Sequence, residues 1–507
     1  MTVTRSSTEA HVAQDAPAGR PSGKPQVAIS RFTGKKVHFI GIGGCGMSGL
    51  ANMLLDCGAI VTGSEPKLGD ACFKLAGRGA RLCRNQIGEL LTRDVDLVVR
   101  TAAVPDTNPE YLAARRLNLP VIKYAQLLGQ IMDERVGVAV AGTHGKSTTS
   151  AMISYALVRA GEDPSFVIGG QVPQLGGSSQ SGTGSGFIAE ACEFDRSFHS
   201  LRPTVAVVTN IELDHLDCYR DLDEINESFA TFCRLLPTHG RLITNGHDAN
   251  CRKLQHGLHA GTDFVTLDGK SDASGTFNVV NRRLENGCWA ADVLLEGRPL
   301  ASLKLSMPGE HNLMNAAMAL AVCVRLGANA EACARGLNEF TGVDRRMSVI
   351  GRPRGSLVVD DYGHHPTEIR VTLKALRDRY APERLRCVFQ PHQHSRTRCL
   401  IDEFATCFHD ADEVIIPDIY RARDSDDDVA AIGARDLVNR IEQHHADVRH
   451  VAALDDIVRQ LRSDLRPGDV IVTMGAGNVH EVAHHLVAEE SAAAESETIR
   501  PQETRCA

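Results

Sequence analysis

Two short glycine-rich strings carry the clearest chemistry in this sequence. Gly41-Ile42-Gly43-Gly44-Cys45-Gly46 fits G-x-G-x-x-G, directly after an apolar run and ahead of a helical pattern. Glycines in that setting permit a tight turn and let backbone N–H groups approach a diphosphate at the positive end of a helix. Glu65 stands near the spacing at which a dinucleotide fold places its ribose-binding acid. From this string alone a nicotinamide dinucleotide, another diphosphate and a plain tight turn all stay open. The second string, Gly142-Thr143-His144-Gly145-Lys146-Ser147-Thr148-Thr149, also lies between a strand pattern and a helix. Its N–H groups can cradle the phosphates of ATP, Lys146 can neutralise charge on the β and γ groups, and the Ser147 hydroxyl can ligate Mg2+. The strict G-x-x-x-x-G-K-[ST] expression fails, because Val140 occupies its first glycine position. A glycine turn carrying a surface lysine is the alternative.

Acids and histidines follow at the ends of later strand patterns. Glu190 ends the run 186–189, and His215 closes Thr209-Asn210-Ile211-Glu212-Leu213-Asp214-His215, just after the run 205–208. In an open α/β sheet, residues past the strand carboxyl ends converge on the ligand crevice, where a carboxylate and an imidazole can complete a Mg2+ site. Imidazole is an uncommon ligand for so hard an ion, so a structural histidine is the other reading of His215. Pro308-Gly309-Glu310-His311-Asn312-Leu313-Met314-Asn315 opens a helix with amides suited to a purine edge, or with Asn312 as a simple cap. Asp360-Asp361-Tyr362-Gly363-His364-His365-Pro366-Thr367-Glu368 gathers acid, phenol and imidazole after a strand. A capping role suits Thr367 and Glu368 but not the whole string.

Strand ends have to hold these strings in place. Short β-branched runs alternate with helical stretches in three blocks, the pattern of α/β layers with mainly parallel sheets. The first block has strands at 36–40, 59–61 and 96–99, a helix over 48–57 and a polar helix over 125–134. The second has strands at 136–141, 186–189 and 205–208, a helix starting near Thr148, and antiparallel hairpins inserted over 261–305, around Asn286-Gly287. The third has strands at 356–359, 385–389, 413–416 and 470–472, with the acidic run 424–428 expected as a solvated loop. At about 150 residues per domain, 507 residues make about three domains. A net charge of -8 gives no global basic field to draw the chain to nucleic acid or anionic lipid. No run approaches the roughly 20 apolar residues of a membrane span. The fifteen cysteines are scattered, odd in number and free of C-x-x-C pairs, which favours reduced thiols in a cytoplasmic protein over a zinc or disulfide framework. Residues 1–33 and 489–507 are polar and expected to be flexible tails.

Taken in order, the two glycine strings, Thr209 to Tyr219, Pro308 to Asn315, Gly342 to Arg346, Asp360 to Glu368, Phe389 to Thr397 and Gly475-Ala476-Gly477 resemble the Mur ligase family over residues 36–482. The family writes its phosphate loop G-T-x-G-K-[ST], which Gly142 to Ser147 satisfies. The resemblance implies three α/β domains: a Rossmann-like UDP-sugar domain (34–134), a central ATPase domain of the phosphate-loop type with a parallel sheet (135–343), and a Rossmann-like C-terminal ligase domain (344–488). It implies that the first loop holds a UDP diphosphate rather than NAD, with Gly43, Gly44, Gly46, Met47 and Ser48 as contacts and Ser64, Glu65 and Thr101 nearby. ATP falls to Gly142, Thr143, His144, Gly145, Lys146, Ser147 and Thr148, with His311, Asn312, Asn315 and Asp361. Two Mg2+ ions are implied, with Ser147, Glu190 and His215 as ligands. Tyr362, His364, His392 and Arg396 fall on the amino-acid side, and Arg345 or Arg346 supplies a catalytic arginine.

The implied reaction is a step of peptidoglycan precursor synthesis. The lactyl carboxylate of UDP-N-acetylmuramate attacks the γ-phosphate of ATP, and L-alanine displaces phosphate from the acyl phosphate. Lys146, an arginine and Mg2+ neutralise the charge, and His364 orients or deprotonates the amine. The sequence departs from the family at Cys192, Gln393 and His394, where aspartate, arginine and tyrosine are usual, and at Glu65, where aspartate is usual. Tyr362-Gly363-His364-His365 argues against the peptide-recycling branch, which carries Phe-Ala-His-His. An NAD-dependent oxidoreductase would leave the second loop, Glu190 and His215 without purpose. A nucleotide-binding protein that has lost catalysis would not need Lys146, Glu190 and His215.

Overall fold

The computed structural model describes residues 30–101, 103–267 and 277–488. The expected tails at 1–29 and 489–507, and residues 268–276 of the expected hairpin region, lie outside the described residues. Residues 30–33, expected in the first tail, are instead tied down. Phe32 is buried in a core cluster, and Arg31 pairs with Asp133 and Glu134.

Three sheets organise the chain, with strands spanning 36–123, 136–304 and 348–474. The first is wholly parallel, in the order Arg81–Cys83, Ile60–Ser64, Lys36–Ile40, Leu97–Arg100, Val121–Lys123. Strand order reverses at Lys36–Ile40, so the loop after Ile40 opens at the switch point where such sheets bind ligands. Helix Cys45–Asp56 follows and buries Met47, Leu50, Ala51, Met53 and Leu54.

The second sheet has ten strands, and Val136–Ala141 lies between Val205–Val208 and Gly186–Glu190, parallel to both. Its strands are apolar on both faces because both are covered. Helices Lys146–Arg159, Glu310–Arg325 and Ala330–Glu339 pack on one face. The other face shares a core with the first sheet, in which Phe39 and Leu50 join Phe187, Phe198 and Phe229. Two expectations change here. Strand Gly261–Leu267 is parallel, and the hairpins Phe277–Glu285, Cys288–Leu295 and Arg298–Lys304 extend the same sheet, joined through Val265 opposite Phe277. The helix expected to be polar, Tyr124–Met132, buries six of its nine residues at the junction of the first two units.

The third sheet runs Ser348–Gly351, Leu357–Asp361, Asp469–Met474, Arg384–Phe389, Glu413–Ile416, Val448–His450, parallel except for its first strand. The acidic run is not a solvated loop throughout. Asp424 is buried and accepts the His394 and Ser395 N–H groups, and Asp426–Ala431 is helical. No helix among the described residues is long and apolar enough to cross a membrane.

Candidate functional site

The second glycine loop is built by its neighbours. Gly142 and Gly145 take positive φ (133° and 81°); a side chain at Gly142 would collide with the Thr209 hydroxyl, and one at Gly145 would come within 2.9 Å of Asn315 Oδ1. The end of the adjacent strand staples the loop. The Thr209 hydroxyl donates to the His144 carbonyl (2.5 Å), His144 N–H donates to Asn210 Oδ1 (2.8 Å), and Glu212 N–H donates to Thr143 Oγ1 (2.9 Å). Lys146 Nζ bends back to donate to the Gly142 and Thr143 carbonyls (2.6 and 3.0 Å) and pairs with Glu193 Oε1 (2.9 Å). Burial works against its charge, but Glu193 outweighs it, with Glu190 adding, and the ammonium pKa is raised.

A cavity of about 500 Å³ opens in front of this loop. His144, Gly145, Ser147 and Thr148 line one side, and His311, Asn312 and Asn315 another. Asn312 Nδ2 donates to the Pro308 carbonyl (2.8 Å) and its Oδ1 accepts from Asn315 (3.3 Å), so the two amides hold each other. Burial pushes the His311 imidazole down to about 4, leaving it neutral. The C-terminal unit closes the cavity as a lid, with Arg346, Asp361, Thr367 and Glu368 on its wall.

The two candidate arginines part company. Arg346 faces the cavity, 3.5 Å from Glu368, which with Asp361 holds its pKa up against burial. Arg345 bonds within its own unit, to Asp360 (3.1 Å) and the Gly475 carbonyl (2.9 Å). Both guanidiniums lie over the Tyr362 ring, at 5.0 and 5.1 Å. Asp361 accepts the N–H groups of Met347 (2.8 Å) and Gly363 (2.7 Å), and burial raises its carboxyl to about 6 although Arg346 opposes the shift. Burial lowers His364 to about 3 and His392 to about 4, so both rings are neutral; their centroids are 5.9 Å apart. Arg396, expected on the amino-acid side, is buried, with Nε and Nη2 on Asp214 Oδ1 of the central unit (3.0 and 2.9 Å) and Nη1 donating to the His392 carbonyl (3.2 Å).

The expected metal ligands also sort differently. Glu190 accepts the Gly169 N–H (2.5 Å), whereas His215 Nε2 faces Glu193 Oε1 at 3.5 Å. Glu193 Oε2 and His215 Nδ1 are buried and have no hydrogen-bond partner. The open carboxylate oxygen and the open imidazole nitrogen are atoms of the kind a divalent cation takes.

The first glycine loop faces a second cavity, of about 350 Å³, lined by Gly44, Gly46, Met47 and Thr101 and, across from them, by Glu190, Cys192, Phe194 and Phe198. Gly43 N–H donates to Glu65 Oε2 (2.9 Å), and a side chain at Gly46 would meet the Tyr124 hydroxyl at 2.6 Å. Ser64 and Ser48 do not line this cavity. Both are buried, and the Ser64 hydroxyl is spent on Glu110, which also bonds His38 Nε2 (3.0 Å). Lys123 stands at the rim, paired with Asp195 (2.7 Å).

Family models for the Mur ligase catalytic domain, the Mur ligase middle domain and the Mur ligase glutamate ligase domain match residues 36–136, 140–323 and 345–477 in turn. The chain belongs to the Mur ligase family. A UDP-N-acetylmuramate–L-alanine ligase of Caldanaerobacter subterraneus is 40% identical over 465 residues, 92% of this chain and 99% of that one. One of Geobacter sulfurreducens is 40% identical over 456 residues, 90% and 97% of the two chains. Among solved structures, the UDP-N-acetylmuramate-alanine ligase of Thermotoga maritima superposes with a TM-score of 0.74 at 26% identity, over 90% of this chain and 99% of that one. The murein peptide ligase of Psychrobacter arcticus reaches 0.65 at 25% identity, over 90% and 98%.

In this Mur ligase, acids that were expected to be neither ligands nor catalytic residues hold the site together. Glu193 is the partner of both Lys146 and His215, three positions beyond Glu190 in the same string. Glu212 accepts the Thr367 hydroxyl (2.6 Å), and Glu368 accepts the N–H of His364 (2.9 Å). The signal available was the alternation of acids at 212 and 214 ahead of His215; their partners Thr367 and Arg396 lie more than 150 positions away, out of reach of local pattern.

Proposed function

We propose that this Mur ligase uses ATP to join L-alanine to the lactyl carboxylate of UDP-N-acetylmuramate, giving UDP-N-acetylmuramoyl-L-alanine, ADP and phosphate for peptidoglycan precursor synthesis. The observation that carries the reading is the position of Lys146 between the two cavities. Its neighbours Gly145 and Ser147 line the larger one, and Glu190, whose charge it feels, lines the smaller with Cys192. A γ-phosphate in the first and a carboxylate in the second would meet at its ammonium. We assign residues 34–134 to the UDP-sugar, 135–343 to ATP and 344–488 to the lid and amino-acid side.

In the first step a carboxylate oxygen attacks the γ-phosphorus and ADP leaves, so two anions must approach. Lys146 and Arg346 supply the opposing charge, each kept cationic by neighbouring carboxylates. Arg345 positions Tyr362 and the Gly475 turn rather than touching phosphate. The adenine side falls to His311, Asn312, Asn315 and Asp361. Mg2+, held by Ser147, Glu190 and His215 with Glu193 beside them, would add charge neutralisation to the phosphates.

In the second step the alanine amine attacks the acyl carbon and phosphate leaves. The amine arrives as ammonium and must shed a proton, for which the neutral His364 and His392 offer lone pairs; their low basicity favours orientation over strong base catalysis. The thirteen free thiols from Cys57 to Cys407 suit a reducing cytoplasm, where ATP is made. The test is phosphate release with ATP, Mg2+ and UDP-N-acetylmuramate, offered alanine, glycine, serine or a peptide in turn. Release with alanine supports the reading; release with the peptide alone would transfer the chain to the peptide-adding branch.

A further inference from the structure

Two imidazoles and a carboxylate meet at the seam between the phosphate loop and the lid. Glu212 Oε2 lies 3.5 Å from His144 Nε2 and 3.7 Å from His365 Nδ1, and one ligand atom from each residue falls within 4.8 Å of the other two. A tetrahedral ion with bonds of about 2.0–2.1 Å sets its ligand atoms roughly 3.4 Å apart, so two edges already fit to within a few tenths of an ångström.

The opposite ring nitrogens are engaged as metal-bound histidines require. His144 Nδ1 faces Glu368 Oε1 at 3.3 Å, and His365 Nε2 faces the Leu213 carbonyl at 3.2 Å. With donation there fixing the tautomers, lone pairs fall on the two nitrogens nearest Glu212 once an incoming ion displaces the second proton of His144. His144 Nε2 is buried without a hydrogen-bond partner, and His365 Nδ1 receives a long 3.3 Å N–H from Thr367.

We propose that His144, Glu212 and His365 form a site for a divalent transition ion of the Zn2+ class, separate from the Mg2+ site. Two imidazoles and one carboxylate select such an ion over Mg2+, which prefers oxygen. The fourth position faces the nucleotide cavity, which His144 and Glu212 both line. His144 belongs to the phosphate loop and His365 to the lid, so the ion ties the lid shut across the ATP site. A proton competes for the site, since Glu368 and Glu212 hold His144 at a pKa of about 9 against burial. The same two carboxylates also favour a dication.

The test titrates chelator-stripped, full-length protein with Co2+ in excess Mg2+, followed by visible absorption. The expected result is one Co2+ per chain with the intense bands of a tetrahedral site, displaced by Zn2+. Glu212→Gln and His365→Gln should each weaken Co2+ binding at least about tenfold with unchanged circular dichroism, while His215→Gln leaves the spectrum as it was. No Co2+ uptake in excess Mg2+ overturns the proposal. So does uptake that survives both Gln variants, or that vanishes with His215→Gln.

Discussion

The two glycine loops begin alike, each leaving a central parallel strand for a helix, yet they end in different surroundings. The first is braced by Glu65 on the Gly43 N–H and faces a cavity walled by Phe194, Phe198 and Tyr124. The second is stapled by Thr209, Asn210 and Glu212, carries Lys146, and is covered by a lid that brings Arg346, Asp361 and Glu368. A turn that only has to hold a diphosphate can rely on backbone N–H groups. A turn at which phosphate is transferred needs a fixed cation and exclusion of water.

The largest effect that would break this contrast is in the lysine. Lys146→Ala should lower kcat about 10³-fold while leaving UDP-N-acetylmuramate affinity within a few-fold, read by single-turnover phosphate release and by calorimetry. Equal loss in both would mean that the loops are not functionally distinct. Next comes the lid. The Asp361 carboxyl is raised from 3.8 to about 6, so the folded protein keeps this proton longer than the unfolded chain does. The neutral form's contribution is whole below about pH 3.8 and is lost as pH rises through 6. Between pH 4 and 7, wild type should therefore lose up to about 3 kcal/mol relative to Asp361→Asn, seen in urea midpoints of the nucleotide-free protein.

Gly46→Ala places a methyl against the Tyr124 hydroxyl and should raise KM for the nucleotide sugar roughly 10–100-fold with little change in KM for ATP. The smallest effect belongs to Glu65→Gln, which keeps an acceptor for Gly43 but discards its charge; about 1 kcal/mol of nucleotide-sugar affinity should go.

Both loops were legible because each gathers glycines in one short string at a strand end, and the second adds Lys146. Strands Val205–Val208 and Glu413–Ile416 were legible as short apolar runs, since both their faces are buried. What escaped depends on distant partners. Helix Tyr124–Met132 reads as polar because of Gln126 and Gln130, until the central unit covers its other residues. Asp424 sits in a run of acids, and only its bonds to His394 and Ser395 set it apart from the exposed ones. Arg396 is held through Nε and Nη2 by Asp214, 182 positions away, while its Nη1 donates to the His392 carbonyl, and no local pattern marks the first of these pairings. Ser64 lies at the correct strand end for a ligand contact but answers to the buried Glu110.

The central claim is that a carboxylate in the smaller cavity attacks a γ-phosphate in the larger one across Lys146. UDP-N-acetylmuramate labelled with 18O in both lactyl carboxylate oxygens, turned over with ATP, Mg2+ and L-alanine, tests this directly by mass spectrometry of the products. The account predicts one 18O in each phosphate released and one in the amide carbonyl of the product. Phosphate released without label would place the attack on water and contradict it.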